Sequence, residues 1–249
     1  MAIKEVKRKA KKVKEAEIEA KDQRWHCRNR VTLVFGSNDV EELDTYVYTK
    51  DSLKFKTVKF HQAKSKAVEL LEQIVAEEPE REEFVFELAR RKSGMARAFR
   101  DSGQTSKARS ELDKAIELLE ELRTSHPDKS LYAYQHALAE WQLAEMVAGM
   151  GKHDEATEIN ERAVAGLKQI LDQGGLAADQ RRQIEESLAY LYGDLAHISE
   201  QAKESEAAVG YFRKAEAQWS HIASMHGDDP MVKDALVWCR RRLNELATQ

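Results

Sequence analysis

The sequence predicts an all-α protein built as a solenoid of antiparallel helix pairs, and three observations support this. The chain is 34% charged and has only 11 Gly and 3 Pro in 249 residues, a composition that favours helices. The segment AVELLEQIVAEEPE, from Ala67 to Glu80, returns 48 residues later as AIELLEELRTSHPD, from Ala115 to Asp128. Both copies carry apolar residues at the spacing i, i+4, i+7, which places them on one helix face.

The repeat continues beyond these two copies. An Ala followed by apolar residues four and seven positions later occurs at offsets of 48, 48 and 52 residues. The four sets are Ala67/Leu71/Ile74, Ala115/Leu119/Leu122, Ala163/Leu167/Ile170 and Ala215/Trp219/Ile222. The longer third offset contains Gly174-Gly175, which predicts a loop that absorbs the extra residues. A repeat of this length is typical of helical solenoids.

Two glycines predict the turn inside each helix pair. Gly103 and Gly151 are each followed by four polar residues and an Ala, in GQTSKA and GKHDEA. Glycine at a helix end adopts the left-handed conformation that other residues resist. Because another apolar-periodic segment precedes each Gly, the predicted unit is a helix, a short turn and a second helix.

On these residues the chain resembles the tetratricopeptide repeat family, whose paired helices cross closely at small residues. The turn Gly and the two small positions of the second helix match in two units, and Lys203 replaces the Gly of a third. The matching small residues are Ala108, Ala115, Ala156, Ala163, Ala208 and Ala215, with Ala96, Ala144 and Ala196 in the first helices. The resemblance implies a right-handed solenoid of three to four helix pairs.

The chain departs from this family in two respects. The Trp-Leu-Gly-Tyr pattern of the family's first helix is largely absent, and only Leu143 and Leu195 fit its Leu position. The period is 48 residues instead of about 34. The excess is close to two heptads, one for each helix, and a heptad lengthens a helix while nearly preserving its face. We therefore expect longer helices with the same packing.

Four regions are expected along the chain. Residues 1–36 form a basic N-terminal helix or extension, residues 37–79 a degenerate first helix pair, and residues 80–227 the repeats. Residues 228–249 form a capping helix with Asp229 at its N-cap and Pro230 in its first turn. A solenoid needs such a helix to cover its last apolar surface.

The first two regions have open alternatives. Apolar residues between 3 and 35 alternate at spacings of three and four, except that Glu17 and Arg24 occupy two of the seam positions, and this pattern predicts a long helix ended by Gly36. RVTLVFG also reads as a short strand, since Val, Thr and Phe favour extended structure. In the second region we expect one helix capped by Asn38 or Asp39 and another from about Ser52 to Glu78.

Charge and cysteine content restrict the class of protein. The net charge of −4 divides into +6 over residues 1–30 (11 basic, 5 acidic) and −10 over the remainder (29 basic, 39 acidic). The basic end fits a nucleic-acid or membrane surface, or a solvated helix face. The chain has neither a signal peptide nor an apolar run of about 20 residues, so we expect a cytoplasmic protein. Cys27 and Cys239 are too few for a disulfide framework or a zinc site.

No motif of a known catalytic chemistry occurs. The sequence lacks a Gly-x-Ser-x-Gly elbow, a His-Glu-x-x-His pair and a Gly-rich phosphate loop that ends in Lys-Ser or Lys-Thr. The eight histidines are scattered, and none pairs with another at a helical ligand spacing. The prediction is a protein that is not an enzyme and that needs no metal or cofactor.

The resemblance implies that the first helices line a concave groove that binds peptides. Alignment places one stripe of residues on this face in three successive units. The predicted groove residues are Arg90, Ser93, Arg97 and Arg100, then Leu138, Trp141 and Glu145, then Tyr190, Gly193 and His197. Arginines beside Trp and Tyr suit an acidic peptide that carries a large apolar side chain. Alternatively, the arginines are solvated and Trp141 and Tyr190 belong to the core.

The predicted function is therefore a non-catalytic scaffold or adaptor that binds a segment of a partner protein in this groove. Two alternatives remain open. One is nucleic-acid binding by the basic N-terminal helix and the arginine stripe. The other is a regulatory subunit that holds a catalytic protein, with residues 1–35 as its docking helix.

Overall fold

The helical array occupies most of the chain. The computed structural model describes residues 27–35, 39–47, 68–227 and 229–248. A helical segment at 68–77 precedes α1. The following helices are α1 (Glu82–Asp101), α2 (Thr105–Ser125), α3 (Ser130–Gly149), α4 (His153–Gln173), α5 (Ala178–Gln201), α6 (Ser205–His226) and α7 (Pro230–Ala247). The predicted solenoid of helix pairs is confirmed, with α1/α2, α3/α4 and α5/α6 as pairs and α7 as the last helix.

Small residues lie where the paired helices cross. From α2 onward each helix contacts the next one in the chain, and α3 also contacts α5. Within the first pair, Lys92 of α1 reaches Glu111 of α2, with 3.3 Å between Nζ and Oε2. The alanines predicted at the close-packed positions are all buried: Ala96, Ala108, Ala115, Ala144, Ala156, Ala163, Ala196, Ala208 and Ala215. Methyl groups at these points let the helix backbones approach closely.

The turns inside the pairs have the predicted left-handed conformation. Gly103 and Gly151 have φ of +76° and +78°. Lys203 has φ of +64° at the equivalent turn of the third pair, where a side chain makes this conformation costly. Between α4 and α5, Gly174 and Gly175 also have positive φ, and they belong to the loop that lengthens the third offset.

The core follows the apolar stripes. One cluster of buried side chains joins α1 to α5 around Leu112 and Val147, and a second joins α3 to α7 around Leu167 and Leu191. Trp219 and Ile222 of α6 and Val232 of α7 complete the second cluster. The three apolar stripes from Ala115 to Ile222 are therefore buried in the helical array, as expected for a solenoid.

The last helix begins as predicted. Asp229 is the N-cap of α7, and its carboxylate accepts the backbone N–H of Met231 at 2.9 Å, with Pro230 in the first turn. The same carboxylate pairs with Arg182 of α5. Arg182 and the backbone N–H of Met231 hold the pKa of the Asp229 carboxyl below its ordinary value.

The chain divides into two units, residues 1–84 and 85–249, and the first contains a β-hairpin. Strands β1 (Cys27–Phe35) and β2 (Asp39–Val47) are antiparallel, and their register pairs Cys27 with Val47 and Val31 with Leu43. The helix predicted to run to Gly36 is therefore wrong over residues 27–35, and the strand alternative is correct. Pairing with β2 satisfies backbone groups that a helix would satisfy locally.

The predicted first helix of a degenerate pair is also wrong, because residues 39–47 form β2. Its apolar residues at positions 40, 43 and 47 fit a helix face, yet the segment also holds Val, Tyr and Thr, which favour a strand. Helix 68–77 agrees with the second predicted helix of that pair. The basic segment at 1–26 and residues 48–67, where the second predicted helix begins, lie outside the described residues.

Within the described residues, no helix is both long and apolar enough to cross a membrane. The same residues contain no group of three or more His, Cys, Asp or Glu side chains arranged to hold a metal ion. Cys239 is a free, buried thiol on α7.

Candidate functional site

The arginines predicted for the groove differ in their pairing. Arg90, Arg97 and Arg100 are exposed on α1. Arg90 lies 3.2 Å from the carboxylate of Glu87, one turn earlier on the same helix. Arg97 has no hydrogen bond or ion pair with any residue that the structure describes. Ser93 is half-buried, and its hydroxyl donates to the carbonyl one turn earlier.

An ion pair between Arg100 and Glu145 connects two predicted groove residues from neighbouring helix pairs. Nη1 of Arg100 donates to Oε2 of Glu145 on α3 at 2.9 Å, and both side chains are largely exposed. The pair brings together positions 45 residues apart in sequence. Arg90 and Arg100 are thus each paired with a glutamate, whereas Arg97 is the arginine of this stripe without such a pair among the described residues.

The aromatic residues of the stripe divide between core and surface. Leu138 and Trp141 of α3 are partly buried and pack against the second core cluster. Tyr190 of α5 is 44% exposed, stacks on Trp141 with ring centroids 6.4 Å apart, and meets the Trp219 ring edge-on at 5.0 Å. Of the two residues that the core alternative named, Trp141 packs against the core, while Tyr190 presents a face to solvent.

A cavity of about 630 Å³ opens between α5 and α7, beside Tyr190. Its walls combine aromatic rings with two carboxylates. They include Tyr190, Asp194, His197, Trp219, Asp234 and Trp238. A mostly apolar concavity with a few converging polar groups is the usual form of a binding site.

Sequence reasoning missed the α7 wall of this cavity. Met231, Asp234 and Trp238 repeat the spacings of three and seven residues that Tyr190, Gly193 and His197 show on α5. The offset is 41 residues for all three positions. Extending the alignment by one more helix would have identified α7 as a fourth helix that carries the stripe. We call this set of residues the groove stripe. It consists of Arg90, Ser93, Arg97 and Arg100 on α1, Leu138, Trp141 and Glu145 on α3, Tyr190, Gly193 and His197 on α5, and Met231, Asp234 and Trp238 on α7.

A second cavity, of about 480 Å³, lies between α3, α4 and α5. Asp194 and His197 line both cavities, so the two adjoin. Its walls also include Glu145, Gly149, Asn160 and Gln201. None of the last three was singled out from the sequence, because each falls outside the predicted stripe.

The residues shared by the two cavities have defined partners. The indole N–H of Trp141 donates to Oδ2 of Asp194 at 2.5 Å. Burial raises the pKa of the Asp194 carboxyl, and nearby Glu145 raises it further, while the Trp141 hydrogen bond and His197 act against this shift. Nδ1 of His197 lies 3.0 Å from Oε2 of Glu200. Two carboxylates, those of Asp194 and Asp234, line the cavity beside α5.

A separate polar cluster lies between α2, α3 and α4, around His136. The ring is 3.3 Å from Glu120 and 3.6 Å from Glu140, and Arg162 reaches Glu140 at 2.9 Å. Burial, followed by the charge of Arg123, lowers the pKa of His136 to about 4. Burial raises the pKa of Glu140, against its hydrogen bond with Arg162. The cluster joins three helices of the array.

Comparison with known proteins identifies the fold. No family model and no curated protein matches the chain. Among solved structures, BtubC (BKLC) from P. vanneervenii is 21% identical, with a TM-score of 0.50, and the match covers 76% of this chain and 73% of that one. The fold is a tetratricopeptide-like helical repeat. Extended repeat arrays of this kind provide binding surfaces in protein-interaction scaffolds.

Two further solved structures are similar at lower scores. A putative kinesin light chain from Podosopora anserina, with TPR-like repeats, is 21% identical at a TM-score of 0.45, covering 77% of this chain and 88% of that one. A de novo designed helical repeat protein is 17% identical at a TM-score of 0.37, covering 77% and 95%.

Proposed function

We propose that this chain is a non-catalytic scaffold that binds an extended segment of a partner protein along the groove stripe. The supporting observation is the continuity of the stripe over four helices, together with the two adjoining cavities that open beside it. Stacked helix pairs offer such an elongated surface to a partner.

The side chains along the stripe define the chemistry of the partner segment. Arg97 is exposed and unpaired within the described chain, so it provides a site for a carboxylate at the α1 end. The α5–α7 cavity, with Tyr190 and Trp238, accepts a large apolar side chain. Asp194 and Asp234 repel an acidic residue at that end, which fixes the direction of the segment. The prediction of an acidic partner peptide therefore applies only to the part of the peptide that lies against α1.

Selection of peptides from a phage-displayed library of random dodecapeptides tests this function on the full-length chain. Enriched peptides should combine an acidic residue with an aromatic or large aliphatic one. Their affinity should fall about tenfold or more in Arg97→Glu, because a charge-assisted contact becomes a repulsion. Arg213→Glu, the same change on an exposed residue of α6 outside the groove, is the matched control.

Two results would contradict the proposal: no enriched peptide on the wild-type chain, or equal loss of affinity in the Arg97 and Arg213 variants. The nucleic-acid alternative is separated by salt, because phosphate contacts release counterions and make affinity fall steeply with ionic strength. Internal pairing of Arg90 and Arg100 weakens the arginine stripe as a phosphate-binding surface. The regulatory-subunit alternative depends on residues 1–35 and is tested by deleting them.

A further inference from the structure

One position of the repeat has a different chemical character in the central helix pair. Four residues after the first small Ala of each second helix stand Leu112 in α2, Asn160 in α4 and Phe212 in α6. Leu112 and Phe212 are buried apolar side chains. The ring of Phe212 packs 5.8 Å from His197 and 5.3 Å from Trp238, so it fills the space between neighbouring first helices.

Asn160 replaces this packing residue with a shorter polar one. Its side chain is fully buried, and neither Nδ2 nor Oδ1 has a hydrogen-bond partner among the described residues. It forms a wall of the 480 Å³ cavity between α3, α4 and α5. An unsatisfied buried amide is unfavourable, so a group that bonds to both atoms would stabilise the complex.

The surroundings of Asn160 restrict that group. The carboxylate of Asp194 lines the same cavity, so a second carboxylate is repelled. A cation would leave the Asn160 N–H donors unpaired, and an apolar group would leave both amide atoms unpaired. A carboxamide donates to Oδ1 through its N–H and accepts from Nδ2 through its carbonyl oxygen, so it satisfies both atoms with two separate groups, whereas a hydroxyl would have to serve both through one oxygen.

The position of Asn160 also indicates where the carboxamide comes from. Asn160 lies on a second helix and is fully buried, whereas His197 and Gln201 on the same cavity are exposed. A peptide backbone in the groove lies at the level of these exposed residues. From that level, only a side chain that projects into the cavity would reach Asn160.

We propose that Asn160 and this cavity form a subsite for the carboxamide side chain of a Gln or Asn residue in the partner segment. The inference rests on the proposed function, since it assigns a specificity element to the same groove. The proposal predicts that Asn160, which would bind the partner's carboxamide, also lowers the stability of the free protein.

Thermal unfolding of the full chain measures the cost of the unpaired amide. Asn160→Leu, which introduces the residue found at position 112, should raise Tm by about 2–4 °C. Asn244→Leu makes the same change at an exposed position of α7 and should leave Tm unchanged. A Tm of Asn160→Leu at or below the wild-type value would contradict the unpaired amide and overturn the subsite.

Peptide selection identifies the ligand. A library of random dodecapeptides is selected against the wild-type, Asn160→Leu and Asn244→Leu chains. Wild type and Asn244→Leu should enrich Gln or Asn at one fixed distance from the large apolar residue, and Asn160→Leu should lack this preference. Changing that Gln or Asn to Glu or Leu in a selected peptide should weaken binding to wild type about tenfold or more.

The outcomes separate the subsite from the groove. Enriched peptides without a Gln or Asn preference, or with the same preference on Asn160→Leu, overturn the subsite and leave the groove function intact. If none of the three chains enriches any peptide, the proposed function fails together with the subsite.

Discussion

The indole N–H of Trp141 donates a hydrogen bond to the carboxylate of Asp194, which joins α3 of the second helix pair to α5 of the third. The carboxyl group of Asp194 is largely buried, and burial raises its pKa. A buried carboxylate without a donor is costly, so this bond belongs both to the groove and to the stability of the array.

Removal of the donor should therefore destabilise the array. Trp141→Phe keeps an aromatic ring and loses the N–H, and we expect it to lower the free energy of unfolding by about 1–3 kcal/mol in urea titrations at pH 7. The penalty should shrink as the pH falls, because the protonated carboxyl is cheaper to bury. Asp194→Asn is the control: in that background Trp141→Phe should cost less. Equal costs in both backgrounds would contradict the coupling.

His136 should make the array sensitive to mild acid. Its pKa in the folded state is about 4, below the ordinary value of 6.5, so the unfolded chain binds a proton first as the pH falls. The free energy of unfolding is therefore unaffected by this group above pH 6.5, and it falls by up to about 3 kcal/mol as the pH decreases toward 4. His136→Gln should unfold with a weaker pH dependence between pH 7 and 5. Parallel pH profiles for wild type and variant would contradict this.

Lys203 should be replaceable by Gly with a gain in stability. Its φ of +64° lies in the left-handed region, which Gly103 and Gly151 occupy without side-chain strain at the equivalent turns. We expect Lys203→Gly to raise the free energy of unfolding by about 0.5–1 kcal/mol, since relief of strain exceeds the added entropy of the unfolded chain. The reciprocal change, Gly151→Lys, should lower it. A destabilised Lys203→Gly would show that the lysine side chain matters more than backbone strain.

The close-packed alanines should not tolerate larger side chains. Ala163 has 0% of its surface exposed in the second core cluster, whereas Ala165 is exposed on the same helix, two residues later. Ala163→Leu should cost about 1–3 kcal/mol of unfolding free energy by overpacking, and Ala165→Leu should change it little. Chemical denaturation of both variants provides the measurement. Similar values for the two would contradict a tight helix crossing at position 163.

Much of the repeat could be predicted because its evidence is local. The spacing i, i+4, i+7 and the glycines at positions 103 and 151 depend only on neighbouring residues, and the structure buries the predicted alanines and gives these glycines positive φ. The hairpin was harder to predict from the sequence. Cys27–Phe35 fits both a helical seam and an alternating strand, and the choice depends on pairing with Asp39–Val47.

The groove was predicted in part for a similar reason. Alignment placed Arg97, Glu145 and His197 on one stripe, but it could not show that Arg100 forms an ion pair with Glu145. It also ended one helix too early, so Trp238 was missed. Asn160 was missed as well, although the repeat places it where the other two pairs have Leu112 and Phe212.

The sequence by itself determined the helical repeat, its period, its turns and the small residues at its crossings, because these follow from the periodicity of a single helix. Only the tertiary structure decided which charges neutralise one another, which amide is left unpaired and where the cavities open. Those properties depend on contacts between residues far apart in sequence, such as Arg100 with Glu145 and Trp141 with Asp194, 45 and 53 positions apart. Local periodicity carries no information about such contacts.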